Sequence, residues 1–279
     1  MTDSIQAVLM FCIAIFLPLL LLMVAGGFSG VNLALEAIGT PEENSLTGIY
    51  AGMLGIGFII GNISIGFGYP GQPFVVNRFM AAKDINTIKR GKYIAMFWAF
   101  IIFSGMILLG LTAKVMYSTV SNPETVLFFV SERLFGPIFA GIISAAVLSA
   151  IMSTADSQLL TVSTSVDNDW NDGKNKNINS ARLAIIFVVI AATLFSLFAP
   201  DTIFDRVIFA WTALGAAFVP MVLSKVFGWS VPGRAALISV LCGFILTIVL
   251  HLFPDTPGDI VERTVPMALG LITLYVSKK

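Results

Sequence analysis

An all-α, polytopic membrane protein is the fold class this 279-residue sequence predicts, on three observations. Hydrophobic residues make up 57% of the chain and charged ones only 11%, against about 25% charged in a soluble domain. Eight apolar runs reach, or nearly reach, the roughly 20 residues a helix needs to cross a bilayer. None shows the roughly ten-residue alternation of a membrane barrel, so each span must close its backbone hydrogen bonds within a helix. The formal charge of zero leaves no electrostatic footprint for nucleic acid. Cys12 and Cys242 both lie in apolar runs, as small buried hydrophobes rather than a disulfide.

The spans fall near Ile5–Ala25, Ile49–Phe79, Tyr93–Tyr117, Phe135–Val166, Ala181–Ala199, Val207–Phe227, Ala235–Phe253 and Ile260–Val276. The first is too long for the apolar part of a signal peptide and has no basic segment ahead of it. The last is the weakest, because Glu262 and Arg263 crowd its start. Basic residues set the orientation. With a cytoplasmic N-terminus, the inner connections hold Arg78, Lys83, Lys89, Arg90, Lys92, Lys174, Lys176, Arg182, Lys225, Arg234, Lys278 and Lys279. The outer ones hold Lys114, Arg133, Arg206 and Arg263. Twelve against four predicts an even number of spans with both termini cytoplasmic.

The second span cannot be a regular helix throughout. Gly61-Asn-Ile-Ser-Ile-Gly-Phe-Gly-Tyr-Pro-Gly-Gln-Pro73 carries two prolines, and each interior proline removes a hydrogen bond and clashes with the preceding turn. Irregular backbone at membrane depth survives where protein buries it or a polar cavity solvates it. Broken helices of this kind line transporter sites, although glycine-thinned packing with prolines at the exit also fits. In the fourth span, Gly141 to Leu160 is apolar yet holds Ser144, Ser149, Ser153, Thr154, Asp156, Ser157 and Gln158. On a helix, Ser153 and Thr154 lie three and four residues after Ala150, so two hydroxyls and the Ala150 carbonyl share a face. Neutral hard oxygens suit sodium better than calcium, which usually draws carboxylates. Back-bonding of the hydroxyls to the preceding turn is the plainer alternative. The sixth span, Phe209 to Pro220, has a small-residue face suited to close helix approach. His251 stands alone near an outer boundary, and a lone histidine makes no metal site.

These stretches resemble a known family. Ser153-Thr-Ala-Asp-Ser-Gln-Leu-Leu160, Gly66-Phe-Gly-Tyr-Pro-Gly-Gln-Pro-Phe74 with Arg78-Phe-Met-Ala81, and Ala210-Trp-Thr-Ala-Leu-Gly-Ala-Ala-Phe218 resemble the solute:sodium symporter family. Among its branches the chain looks most like the bacterial sodium/proline symporters. The resemblance implies a leucine-transporter-like inverted repeat of two five-helix units. It also implies sodium as the coupling ion, no other cofactor, no enzymatic activity and a place in the bacterial cytoplasmic membrane. Ala150, Ser153 and Thr154 match the carbonyl and two hydroxyls of a family sodium site. Asp3 matches an aspartate linked to cytoplasmic sodium release. Ile65, Tyr69, Gln72 and Pro73 fall on the substrate-facing stretch, where Ile65 stands in place of the tryptophan usual in the proline branch, four residues before Tyr69 and so on one helical face.

By the same resemblance the 279 residues form one transmembrane domain: the fifth core helix of the first repeat, the whole second repeat and two peripheral helices. The first four core helices are then missing, and a truncated or split symporter is expected, with a companion chain supplying them. A non-transporting membrane subunit is the alternative. A third reading takes Gly27-Phe-Ser-Gly30 as the nucleophile motif of an intramembrane serine protease with His251 as base. A loop turn explains those four residues as well.

Overall fold

The computed structural model describes residues 2–39, 45, 47–117, 120, 122–166, 178–198, 202–253 and 256–278. Side chains are described for the same residues except 2, 3, 178 and 198. Among these residues the chain forms ten α-helices: α1 Thr2–Val24, α2 Gly27–Ile38, α3 Gly52–Phe67, α4 Pro73–Met80, α5 Ile85–Met116, α6 Val126–Ser165, α7 Ile178–Phe198, α8 Ile203–Val226, α9 Gly233–His251 and α10 Ile260–Ser277. Eight helical segments are long and apolar enough to cross a membrane, and α3 with the turn after it counts as one of them. The eight predicted spans are these segments.

Several boundaries depart from the sequence reading, among them the start of α6, at Val126 rather than Phe135. Residues 27–30 are not a loop turn but the first turn of α2, entered through Gly26 at φ 84°. The helix was missed because its 12 residues are too few to span and begin with a glycine. α5 starts eight residues before Tyr93, because Asp84 caps it by accepting a hydrogen bond from the Thr87 N–H. The polar turn Ile85–Lys92 is held by that cap rather than by apolar burial.

The chain divides into two compact units, residues 1–44 with 82–188 and residues 45–81 with 189–279. In the first unit, α1 packs on α5 and α6. Ile13, Leu17 and Leu21 of α1 meet Leu109 and Ala113 of α5 and Val130, Ile143 and Ala146 of α6 in one buried cluster. The α1–α5 seam is tight because Gly105 lies against the backbone of Ala14, where an added Cβ would sit 2.0 Å from the Ala14 oxygen. With lipid as apolar as leucine, such packing of small residues is what joins helices here. α6 turns sharply at Gly136 (φ 75°, ψ 178°). Pro137 has no N–H to continue the ladder and disfavours helical backbone at the residue before it. Cys12 is half-buried and unpaired.

In the second unit, α8, α9 and α10 pack on one another, and α3 packs on α10 and α8. The small face of α8 is used as expected: Ala213, Ala216 and Ala217 are buried, and Gly243 of α9 lies against the Ala216 backbone. Cys242, read as buried, is instead exposed and free, because its neighbour Gly243 takes the face toward α8. Large apolar side chains such as Ile238, Leu241 and Ile245 are exposed along α9. That is the expected surface of a helix bathed in lipid chains.

Candidate functional site

Each unit carries polar groups gathered inside apolar helices. In the first unit one constellation lies on α6. The Thr154 hydroxyl donates to the Ala150 carbonyl at 3.1 Å, so the two oxygens do share a face. Ser153 is half-buried, and its carbonyl accepts from the Ser157 hydroxyl at 3.0 Å. The same i→i−4 pattern recurs at Ser144, Thr161 and Thr164. At residues 150–154 the Ala150 carbonyl and the Thr154 hydroxyl lie together on a partly exposed stretch of the helix. A hydroxyl keeps its lone pairs while donating, and a carbonyl has two, so the back-bond leaves acceptors for a cation. α6 alone offers about three oxygens, fewer than the six or more of a hard-cation shell such as calcium's.

One turn earlier, Ser149 accepts from the Gln6 carboxamide of α1. Both line a cleft of about 410 Å³ with Ile5, Leu9, Ile142, Ala145 and Ala146. Gln6 Oε1 is buried without a partner. Sequence reasoning missed Gln6, though a carboxamide one turn after Asp3 in an apolar helix was the available signal. The Asp3 side chain lies outside the described residues, as do Lys174 and Lys176.

The second constellation sits where the second span breaks. α3 ends at Phe67, residues 69–71 form a single 3₁₀ turn, and α4 restarts with Pro73 at its first position. Proline is tolerated there because the first helical N–H groups have no partner anyway. Gln72, ahead of Pro73, is extended (φ −68°, ψ 122°), the conformation favoured for a residue preceding proline. The i to i+4 relation assumed between Ile65 and Tyr69 therefore does not hold. The Gly68 N–H reaches back to Ile65 by a tighter i→i−3 bond, and the helix stops before Tyr69.

The four residues read as solute-facing do not share one surface. Tyr69 is exposed and its ring lies 5.5 Å from that of Trp211 on α8. Ile65 and Pro73 are half-buried. Gln72 is fully buried, with its Nε2 donating to the Trp211 carbonyl at 3.0 Å and the Gly68 carbonyl at 3.3 Å. Two carbonyls on one side fix the carboxamide, so its Oε1 points the other way and finds no partner. Thr212 Oγ1, the next residue along α8, is also buried and unpartnered. Gly68 and Gly215 make the seam possible, since a Cβ on Gly215 would lie 2.6 Å from the Gly68 Cα.

A third cluster joins α3 to the start of α10. Arg263 is buried. Its Nη2 pairs with Asp259 at 2.6 Å, and its Nη1 donates to the Gly61 carbonyl at 3.3 Å and to Asn62 Oδ1 at 3.5 Å. A guanidinium at this depth is tolerable only with such partners. The same residues made the span look weak in the sequence. His251 is not alone: it hydrogen-bonds Glu262 at 3.1 Å and its ring lies 4.4 Å from that of Phe209. Ser29 opens α2 in the first unit, whereas His251 ends α9 in the second. Among the described residues no group of three metal-ligating side chains occurs.

Comparison with known proteins gives this geometry a family. The Sodium:solute symporter family model matches residues 1–243. The osmoregulated proline transporter OpuE of Bacillus subtilis is 30% identical, covering 100% of this chain and 59% of that protein. The high-affinity proline transporter PutP of the same organism is 32% identical over 89% of this chain and 54% of its own length. A sodium/proline symporter of Haemophilus influenzae is 31% identical over 87% and 51%. The chain thus spans about half the length of the curated relatives it matches. No solved structure matches.

Proposed function

The chain belongs to the sodium:solute symporter family, a family of sodium-coupled transporters rather than enzymes, and we propose that it forms part of a symporter importing proline or another small zwitterionic solute. The observation that carries this reading is the oxygen set on α6, where the Thr154 hydroxyl and Ala150 carbonyl lie 3.1 Å apart beside Ser153. Sodium bound there takes lone pairs from these three groups while the Thr154 proton turns away. The remaining oxygens come from helices beyond these 279 residues, supplied by a companion chain or segment. Three relatives whose names include proline support the solute class. Tyr69 supports it too: an exposed ring with a hydroxyl suits a small amphipathic amino acid. Ile65, Gln72 and Pro73 shape the break behind it, and Asp3 on α1 assists sodium release.

The proposal extends to an inverted-repeat architecture within one transmembrane domain, and to a bacterial cytoplasmic membrane with both termini inside. Sodium and solute couple because each biases one conformational equilibrium through differential contacts. The test is uptake of labelled proline by proteoliposomes holding this chain co-expressed with the preceding helices of the Bacillus subtilis relative. A sodium gradient should drive accumulation and a potassium gradient should not. Uptake indifferent to sodium, or blocked by a sugar or pantothenate but not by excess unlabelled proline, would refute the reading.

A further inference from the structure

The end of the second unit at which α8 and α10 finish and α9 begins has a charge pattern that transport does not use. Lys225 lies in the last turn of α8, Arg234 is the second residue of α9 and Lys278 follows α10. The three helices pack on one another, which brings these cations to one end of one bundle. From Arg206 to Pro254, and from Arg263 to Lys279, the sequence holds no Asp or Glu. Residues 45–81 of the same unit hold none either. Of the unit's carboxylates, Asp205 lies in the first turn of α8, and Asp259 and Glu262 lie at the start of α10, at the other end; Asp201 and Asp255 fall outside the described residues. The ion pairs His251–Glu262 and Arg263–Asp259 also lie at that far end. The positive end is therefore not neutralised by its own bundle.

Aromatic rings are built into the same corner. Trp229, in the short link between α8 and α9, lies 5.4 Å from Phe227 and 5.5 Å from Tyr275 of α10. The Lys278 ammonium sits 3.7 Å from the Tyr275 ring centre and 5.2 Å from that of Trp229. Immediately alongside, Val226, Phe227 and Val276 are exposed apolar residues. Tryptophan and tyrosine at the end of an apolar helix mark the headgroup level of a bilayer. Cations just beyond it meet whatever anion that layer contains.

We propose that this corner is a binding site for an anionic phospholipid, with Lys225, Arg234 and Lys278 receiving the phosphate and Trp229 and Tyr275 packing on its glycerol and upper chains. The shared chemistry is a phosphate anion. The apolar side chains bordering the cations identify a lipid rather than soluble phosphate as its source. Each basic residue near an anionic surface strengthens binding about fivefold, and the effect is screened within a Debye length of about 8 Å in physiological salt. The inference is independent of the transport reading, because its readout is lipid binding by the chain itself.

The experiment reconstitutes the 279-residue chain in phosphatidylcholine nanodiscs doped with brominated phosphatidylglycerol or brominated phosphatidylcholine, and follows tryptophan quenching. Phosphatidylglycerol should quench at a mole fraction at least about tenfold lower, and Trp229→Phe should remove that headgroup-dependent part of the signal. The Lys225→Gln/Arg234→Gln/Lys278→Gln variant should quench equally with both lipids. Should that variant fail to fold, Lys278→Gln alone should reduce the preference about fivefold. Equal quenching of the unmodified chain by the two lipids would overturn the proposal. So would a preference that survives in the variants, or one that millimolar inorganic phosphate abolishes while sodium chloride of matched ionic strength does not.

Discussion

Replacing Gly61 by alanine should separate two helices that now touch backbone to backbone. A Cβ at Gly61 would lie 2.0 Å from the Gly258 oxygen and 2.7 Å from its carbonyl carbon. Ordinary contact begins at 3.4 Å, so the seam between α3 and the turn before α10 must open by about 1.4 Å. The same opening breaks the Arg263 bonds to the Gly61 carbonyl and Asn62, already at 3.3 and 3.5 Å. Overpacking typically costs about 1–3 kcal/mol, and a hydrogen bond to a charged group adds about 1.5–3 kcal/mol. A loss of about 3 kcal/mol or more follows, roughly a 150-fold change in the folding equilibrium. Unfolding of the purified chain by sodium dodecyl sulfate in mixed micelles measures it. Gly66→Ala, on the same helix with nothing within 4 Å of its Cβ, is the internal control and should be neutral or stabilising by up to about 1 kcal/mol. Equal effects from the two substitutions would refute the argument from contact.

Gln72→Leu should change stability by no more than about 1 kcal/mol, since two lost hydrogen bonds are offset by relief of one buried unpaired oxygen. Gln72→Glu, which sets a carboxylate against the Trp211 and Gly68 carbonyls, should lose about 3 kcal/mol or more in the same unfolding assay. Ser149→Ala should cost about 1–3 kcal/mol by leaving the Gln6 amide unpaired. Adding Gln6→Leu should recover most of that loss, and strict additivity would contradict the coupling. The Thr87 N–H holds the Asp84 carboxyl below its ordinary value of about 3.9. The cap is therefore fully present above that value and is lost as pH falls through the lowered one. Amide exchange in the first turn of α5 should accelerate there relative to the rest of the helix, and Asp84→Ala should remove the transition.

Much of this molecule was legible in its residues, and the parts that were not share a cause. The spans follow from apolar length alone, and the break after Phe67 from Pro70 and Pro73. The α6 oxygen face follows from helical periodicity, which fixes Thr154 over Ala150 whatever surrounds them. What periodicity cannot reveal is a partner from a distant segment. The local pattern around Gln72 does not show the Trp211 carbonyl, 139 residues away, that holds its amide. Arg263 looked like a flaw in a span because Gly61 and Asn62 lie some 200 residues earlier. α2 escaped for a different reason: a short helix capped by Gly26 has neither the length nor the capping side chain that marks a start.

Sodium coordination by the α6 face is tested most directly by the sodium dependence of proline uptake in Ser153→Ala and Thr154→Ala variants of the assembled transporter. Removing one hydroxyl leaves the cation short of an oxygen, a loss of about 1–3 kcal/mol, or roughly 5- to 150-fold in sodium affinity. The sodium concentration for half-maximal uptake should rise by that factor in each variant, with proline affinity restored at saturating sodium. A half-maximal concentration unchanged in both variants would contradict the proposed sodium site on α6.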